Sequence, residues 1–156
     1  MAIADLEKKY GKPANRRFVM FCCWLAETGT GLVLTPTMLA ACRRIRVTGD
    51  LEVECDRFEL SRGEAVKKYK YIDRPEAPLV DKLAMCVDCL CRCALGVADG
   101  APVPEADVPL VAVILNTVFV ARYEGKVGAS GGAEVEAMVN AAITGRSERN
   151  AKLTTT

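Results

Sequence analysis

Apolar residues dominate positions 77–96 (APLVDKLAMCVDCLCRCALG), and the charged side chains there fall on a narrow stripe. In a helix of 3.6 residues per turn, Asp81, Asp88 and Arg92 lie within roughly 40° of one another. A helix with so little polar surface must be enclosed by other elements. The pattern therefore predicts that residues 77–96 form the central helix of a bundle.

Two helices joined by a short glycine-containing loop are predicted before this segment. The first spans about residues 15–28 and ends at Gly29, a residue type that commonly terminates helices. The second spans about residues 36–47, with Thr35 as its N-cap and Pro36 at its first position. The short connection favours an antiparallel helical hairpin.

The stretch 51–60 alternates apolar and charged residues, which is typical of a strand. We therefore expect a short extended segment there. Ser61 and Glu64 have the spacing of a capping box, which predicts the start of a short helix that Pro75 ends.

The last third of the chain contains two more predicted helices. Residues 108–122 are rich in Val and Ile, as in a buried strand, but their length favours a helix. An amphipathic helix follows at 132–145. The sequence thus predicts an all-α protein, a four- to five-helix bundle with one extended segment near 51–60. Residues 1–14 are expected to be a flexible arm, 15–145 a single domain, and 146–156 a polar tail.

Composition narrows the class of protein. With 51% hydrophobic residues among 156, the chain is not intrinsically disordered, and its net charge of +1 disfavours a freestanding basic nucleic-acid-binding module. The N-terminal residues lack the apolar core of a signal peptide, and the apolar run 18–41 is interrupted by Glu27 and two glycines. These features predict a cytoplasmic protein with no membrane contact.

The chain has eight cysteines and no histidine. Without histidine most acid–base and imidazole–metal schemes are absent, so we expect neither an enzyme nor a cofactor. On a helix, Cys86, Cys89 and Cys93 lie within about 60° of one another while Cys91 points to nearly the opposite side, which favours reduced core thiols over a metal site. If a metal is bound, Cys86, Cys89 and Cys93 are the expected ligands.

Arg43, Arg44 and Arg46 follow one another at the end of the second predicted helix, and Arg92 lies on the central helix. Together they are candidates for a phosphate-binding surface. The competing interpretation is a solvated helix end together with an ion pair between Asp88 and Arg92.

Two motifs suggest a family. FVMFCCWLAE at 18–27, and Tyr69-Lys70-Tyr71 followed by Pro78-Leu79-Val80 and Leu83, resemble motifs of the coat proteins of rod-shaped plant viruses, the tobacco-mosaic-like family. The resemblance implies a structural subunit of a virion that forms a homo-oligomer and packages single-stranded RNA. RNA contact would then rest on Arg92, with help from Arg43, Arg44 and Arg46.

Two other functions fit the same pattern. A Bcl-2-like viral regulator would also enclose an apolar central helix among amphipathic ones and bind a partner helix in an apolar groove. A thiolate metal-binding protein would rest on the cysteines of 86–93.

Overall fold

The computed structural model describes residues 2–69, 76–123 and 131–146, and all regular structure in those ranges is helical. The helices are α1 (Ala2–Tyr10), α2 (Arg16–Gly29), α3 (Thr35–Thr48), α4 (Leu51–Lys68), α5 (Leu79–Leu90), α6 (Val108–Tyr123) and α7 (Gly131–Thr144). Short 3-10 turns at Lys12–Ala14 and Glu105–Asp107 precede α2 and α6. The predicted all-α bundle is confirmed, although these ranges contain seven α-helices rather than four or five.

Helix α5 lies at the centre, as its apolar pattern predicted. Its side chains at 83, 86, 87, 89 and 90 are buried, and it packs against α2, α3, α6 and α7. A π-helical turn, Cys91–Leu95, continues the helix until Gly96, whose φ of 67° ends it in the left-handed conformation. A π-helical turn contains more residues than an α-helical turn. Arg92 is therefore rotated about the helix axis relative to the position that 3.6 residues per turn would give it.

The two helices predicted before the central segment, α2 and α3, are present, with one difference at the start of the second. Asn15 caps α2 by accepting a hydrogen bond from the Phe18 backbone N–H. Thr35, however, is the first residue of α3, and the preceding Leu34 occupies the N-cap position without a side-chain hydrogen bond. The expectation that Thr35 caps α3 is therefore wrong.

The extended segment expected near 51–60 is also wrong, because these residues form the first half of α4. Asp50 caps the helix by accepting from the Val53 backbone N–H. The buried residues Leu51, Glu54 and Phe58 then fall on one helical face at spacings of three and four. The helix continues through Ser61 and Gly63, so the predicted capping box lies in its interior. Pro75 is outside the described residues.

The N-terminal residues expected to be a flexible arm instead contain α1. Leu6 is buried in the core, and α1 packs on α6. The buried carboxylate of Asp107 accepts hydrogen bonds from Lys9 Nζ at 2.7 Å and from the Tyr10 hydroxyl. This contact joins α1 to the turn at the start of α6.

The first residue of the predicted polar tail is likewise packed into the bundle. The Arg146 guanidinium donates to the carbonyls of Ala101 at 2.6 Å and Ala98 at 3.0 Å, and to Asp88 at 2.5 Å. Residues 147–156 are outside the described ranges. The helices predicted at 108–122 and 132–145 match α6 and α7 within one residue.

None of the helices in the described ranges is both long enough and apolar enough to cross a membrane.

Candidate functional site

The four arginines singled out from the sequence do not form one basic surface. Arg44 is engaged by the buried carboxylate of Glu54, which accepts from its Nε at 2.7 Å and from a terminal nitrogen at 2.9 Å. This hydrogen bond raises the pKa of Arg44. Arg57 lies 3.5 Å from the same carboxylate. Arg44 is thus an internal ion-pair partner that holds α3 against α4.

Arg46 closes the end of the central helix. Its guanidinium donates to the carbonyls of Cys93 at 2.8 Å and Ala94 at 3.1 Å. It lies so close to Gly96 that a Cβ on that residue would come within 2.6 Å of it. A cation at the carbonyl end of a helix satisfies acceptors that lack a partner within the helix.

Arg43 and Arg92 meet at a single carboxylate, that of Asp99. One Asp99 oxygen is 3.3 Å from Arg43 and the other is 3.6 Å from Arg92 Nε. Asp88, the sequence-predicted partner of Arg92, binds Arg146 instead. The structure therefore separates the four arginines into two firmly held side chains and one loosely paired couple.

The cysteines are reduced in the structure and almost all buried. Cys86 Sγ lies 3.7 Å from Cys23 Sγ on α2, and Cys93 Sγ lies 3.8 Å from the Pro13 carbonyl. Cys89 donates to Cys42 on α3, and this hydrogen bond together with burial raises the pKa of Cys89 well above its usual range. Cys42 is also hydrogen-bonded to Cys22 on α2, so thiols of α2, α3 and α5 form a connected chain of sulfur contacts.

No group of three or more Cys, Asp or Glu side chains in the described ranges has the arrangement of a metal site. The absence of a metal stays a prediction. The five sulfurs of α2, α3 and α5 act in the structure as small apolar groups with weak hydrogen bonds.

A feature that the sequence did not indicate is a pair of clefts on either side of α2. The first, about 640 Å³, lies between α1, α2 and α6, and the second, about 590 Å³, lies between α2 and α4. Met20 lines both clefts. We call the apolar part of this region the α2 surface, which consists of Ala2, Ile3, Met20, Phe21, Trp24, Val113, Ile114 and Val118.

Aromatic packing makes the second cleft rigid. The Trp24 ring lies edge-on to Phe58, with centroids 4.9 Å apart, and 5.9 Å from Phe21. Such tilted and edge-to-face contacts fix ring positions. On the other side, Val113 of α6 remains half exposed. Hydropathy periodicity could not reveal this surface, because its residues come from three helices and each looks like an ordinary core position.

The fold and this surface define a small helical protein with an open apolar face. Comparison with known proteins narrows the class further. The chain is 31% identical over 120 residues, 76% of its length, to "Photosystem I assembly factor PSA3, chloroplastic" of Zea mays. It is 27% identical over the same share of its length to the protein of the same name in Arabidopsis thaliana.

The chain spans less than half the length of these relatives, 44% of the maize protein and 42% of the Arabidopsis protein. No protein-family model matches it, and no solved structure is a significant match.

These relatives overturn the interpretation as a coat protein. They are named as assembly factors, so the virion, the RNA-packaging homo-oligomer and the RNA-contact role that the resemblance implied for Arg43, Arg44, Arg46 and Arg92 are no longer supported. The expected cytoplasmic location is wrong as well, since both relatives are chloroplastic. Neither the Bcl-2-like regulator nor the thiolate metal protein gains support. The first quoted motif is explained by the fold: Phe18, Phe21 and Leu25 lie on the buried face of α2. Lys70 and Tyr71 of the second motif lie outside the described residues.

Proposed function

We propose that this chain takes part in the assembly of photosystem I in the chloroplast, as a binding protein and not as an enzyme. The observation that carries the proposal is the similarity of three quarters of the chain to two photosystem I assembly factors. The relatives are more than twice as long, so the role is proposed for this helical unit and not copied from the whole of either protein.

The chemistry of the described residues supports a binding role. The buried charged groups Glu54, Lys82, Asp107 and Arg146 each pair with an opposite charge within the chain. Three of these groups pair with residues at least 55 positions away, and Glu54 joins α4 to the neighbouring α3, so their charges serve the fold. With no histidine in the chain, the usual proton-transfer group is also missing.

The α2 surface is the part of the molecule that we propose binds a photosystem I component. Subunits of a large complex expose apolar surface until they are assembled, and a helper protein must cover that surface transiently. The α2 surface offers apolar side chains with a sparse polar rim: Glu7 and Arg16 at one cleft, Arg17 and Glu52 at the other. One cation and one anion at each rim leave the region without a dominant charge.

The role itself is tested by removing the protein from the organism that makes it. We expect photosystem I to fall relative to photosystem II, measured by immunoblot of both complexes and by the light-induced absorbance change of the photosystem I reaction centre. Transcripts of photosystem I subunits should be unchanged. Normal photosystem I in the deficient line would contradict the proposal.

The surface is tested by complementing that line with charged variants. Met20→Glu with Val113→Glu places two carboxylates on the α2 surface at partly exposed positions, so the fold is retained while apolar contact is lost. The matched control is Leu60→Glu, an exposed apolar residue on the outer face of α4. We expect the control to restore photosystem I and the double variant to fail. Equal rescue by both would exclude the α2 surface while leaving the role intact.

A further inference from the structure

Asp99 holds Arg43 and Arg92 less firmly than the partners of Arg44, Arg46 and Arg146 hold those side chains. Arg43 reaches its carboxylate at 3.3 Å. The Nε of Arg92 is shielded from solvent, makes no hydrogen bond, and stands 3.6 Å from the other oxygen. In the same molecule Glu54 binds Arg44 through two short bonds of 2.7 and 2.9 Å. A buried guanidinium N–H without an acceptor is costly and therefore marks an incompletely filled site.

At Arg43 and Arg92, the hydrogen-bond donors greatly outnumber the acceptors. Each guanidinium carries five N–H groups, whereas one carboxylate is the acceptor between the two side chains. Arg46 adds a third positive charge beside them, although its own donors are used by the Cys93 and Ala94 carbonyls. The result is a locally positive site in a chain whose net charge is only +1.

The acceptor sits on a short connection bounded by Gly96 and Gly100, both with positive φ. The Asp99 side chain is 45% exposed, and the Arg43 side chain is 43% exposed. A second carboxylate can therefore approach both guanidiniums from solvent, either beside Asp99 or in its place.

Val47, close to Arg43 on α3, indicates which kind of segment would carry the second carboxylate. Val47 lies one helical turn after Arg43, on the same face, and is 85% exposed. An exposed apolar residue next to a guanidinium fits a peptide segment in which an acidic side chain, which binds the guanidinium, is followed by an apolar side chain, which contacts the valine. A polyanion such as RNA suits it poorly, because Arg44 is already neutralised by Glu54 and no continuous basic stripe is left for successive phosphates.

We propose that Arg43 and Arg92, with Val47 beside them, form a recognition site for an acidic, partly apolar segment of a partner protein, and that Asp99 occupies this site when the partner is absent. Guanidinium groups bind carboxylates through paired N–H donors, which matches this geometry. The inference stands apart from the photosystem role, since it rests on the charges and distances of this one site.

The test is an NMR titration of the isotopically labelled chain with the capped peptide Leu-Glu-Glu-Leu, with Leu-Gln-Gln-Leu as the neutral control. The arginine Nε–H signals report directly on the side chains. We expect the acidic peptide to shift the signals of Arg43 and Arg92, and the neutral peptide to leave them in place. Asp99→Asn should tighten binding at least fivefold, because it removes the internal competitor.

Arg43→Gln with Arg92→Gln should abolish the shift, whereas Arg44→Gln, which removes a charge of the same kind from the adjacent position, should leave binding within twofold. Unchanged thermal stability of Asp99→Asn verifies that the fold is intact. Equal loss in the Arg44 variant, or no gain in Asp99→Asn, would overturn the site. Tighter binding of inorganic phosphate or oligouridylate than of the acidic peptide would overturn the choice of partner.

Discussion

At the scale of single residues, the buried carboxylate of Glu54 is the clearest test of internal ion pairing. It is 3% exposed, whereas its partner Arg44 is 41% exposed and partly hydrated. We expect Glu54→Gln to lower the free energy of unfolding by about 1–2 kcal/mol, less than the loss from a fully buried pair. Urea denaturation followed by circular dichroism measures it.

Glu52→Gln is the matched control for this substitution. Glu52 lies two residues earlier in the same first turn of α4, where it has the same favourable interaction with the helix dipole, but its side chain is exposed. We expect a change of less than about 0.5 kcal/mol. If the two variants unfold at the same urea concentration, the Glu54–Arg44 pair does not contribute as described.

Thiol reactivity distinguishes Cys55 from the other seven cysteines, because it alone is not fully buried. Burial, and then the carboxylates of Glu59 and Asp56, raise its pKa, so its reaction should accelerate as the pH rises above 8. In the native protein we expect one thiol per chain to react quickly with a disulfide reagent. The remaining seven should react only in denaturant.

Cys55→Ser should remove that fast phase, and Cys86→Ser should leave it unchanged. Two or more fast thiols in the native chain would show that the sulfurs between α2, α3 and α5 are accessible, contrary to their burial.

At the scale of helices, two glycines give opposite predictions. Gly96 ends the central helix with φ of 67°, and a Cβ there would meet the Arg46 guanidinium at 2.6 Å. Gly63 lies inside α4, where an added Cβ meets nothing within 4 Å. We expect Gly96→Ala to destabilise by about 1–2 kcal/mol, from the strained backbone and the clash.

Gly63→Ala should stabilise the protein by about 0.5–1 kcal/mol, because alanine loses less conformational freedom than glycine when the helix forms. Thermal unfolding of both variants and of the wild type measures the two changes in stability. A lower melting temperature for Gly63→Ala would mean that α4 is not continuous through this position.

Helix α4 also shows why the sequence did not predict every element. Leu51, Val53 and Cys55 alternate as in a strand, but the structure buries Leu51, Glu54 and Phe58. Because the core-facing stripe contains a glutamate, the hydrophobic periodicity of the helix is hidden. By contrast, α5 and α6 are so uniformly apolar over their length that a helix was the natural prediction.

The buried charges were missed for a related reason. Lys82 is 2% exposed and lies 3.3 Å from Glu27, which is 55 residues away in sequence. The Asp107 carboxylate lies just before α6 in the sequence but binds side chains of α1. Partners so distant along the chain leave no local pattern, so the three-dimensional fold was needed to find them. The same holds for Asp99 as the partner of Arg43, 56 residues away.

At the scale of the whole molecule, the thiols between α2, α3 and α5 couple stability to alkaline pH. The hydrogen bond from Cys86 to Cys23, and then burial, raises the pKa of Cys86 well above its ordinary value of 9.0. The hydrogen bond with Cys42 likewise raises the pKa of Cys22 and of Cys89. Above pH 9 the unfolded chain releases these protons while the folded chain retains them. The stabilisation is therefore complete below pH 9 and is lost as the pH rises further.

We expect the free energy of unfolding in reducing buffer to decrease more steeply between pH 9 and 10 for the wild type than for Cys86→Ala. Urea titrations at closely spaced pH values give both slopes, and the comparison cancels the lysines and tyrosines common to both chains. Identical slopes would contradict a raised pKa for Cys86.

The link between α1 and Asp107 has a consequence for how the protein is made. Lys9 and Asp107 are 98 residues apart. At typical rates of translation, roughly 5 to 20 s pass between the synthesis of one and of the other. During that interval the first helix has left the ribosome while its acceptor does not yet exist. Leu6 then remains exposed on the nascent chain, so the N-terminal helix can complete its packing only late in synthesis.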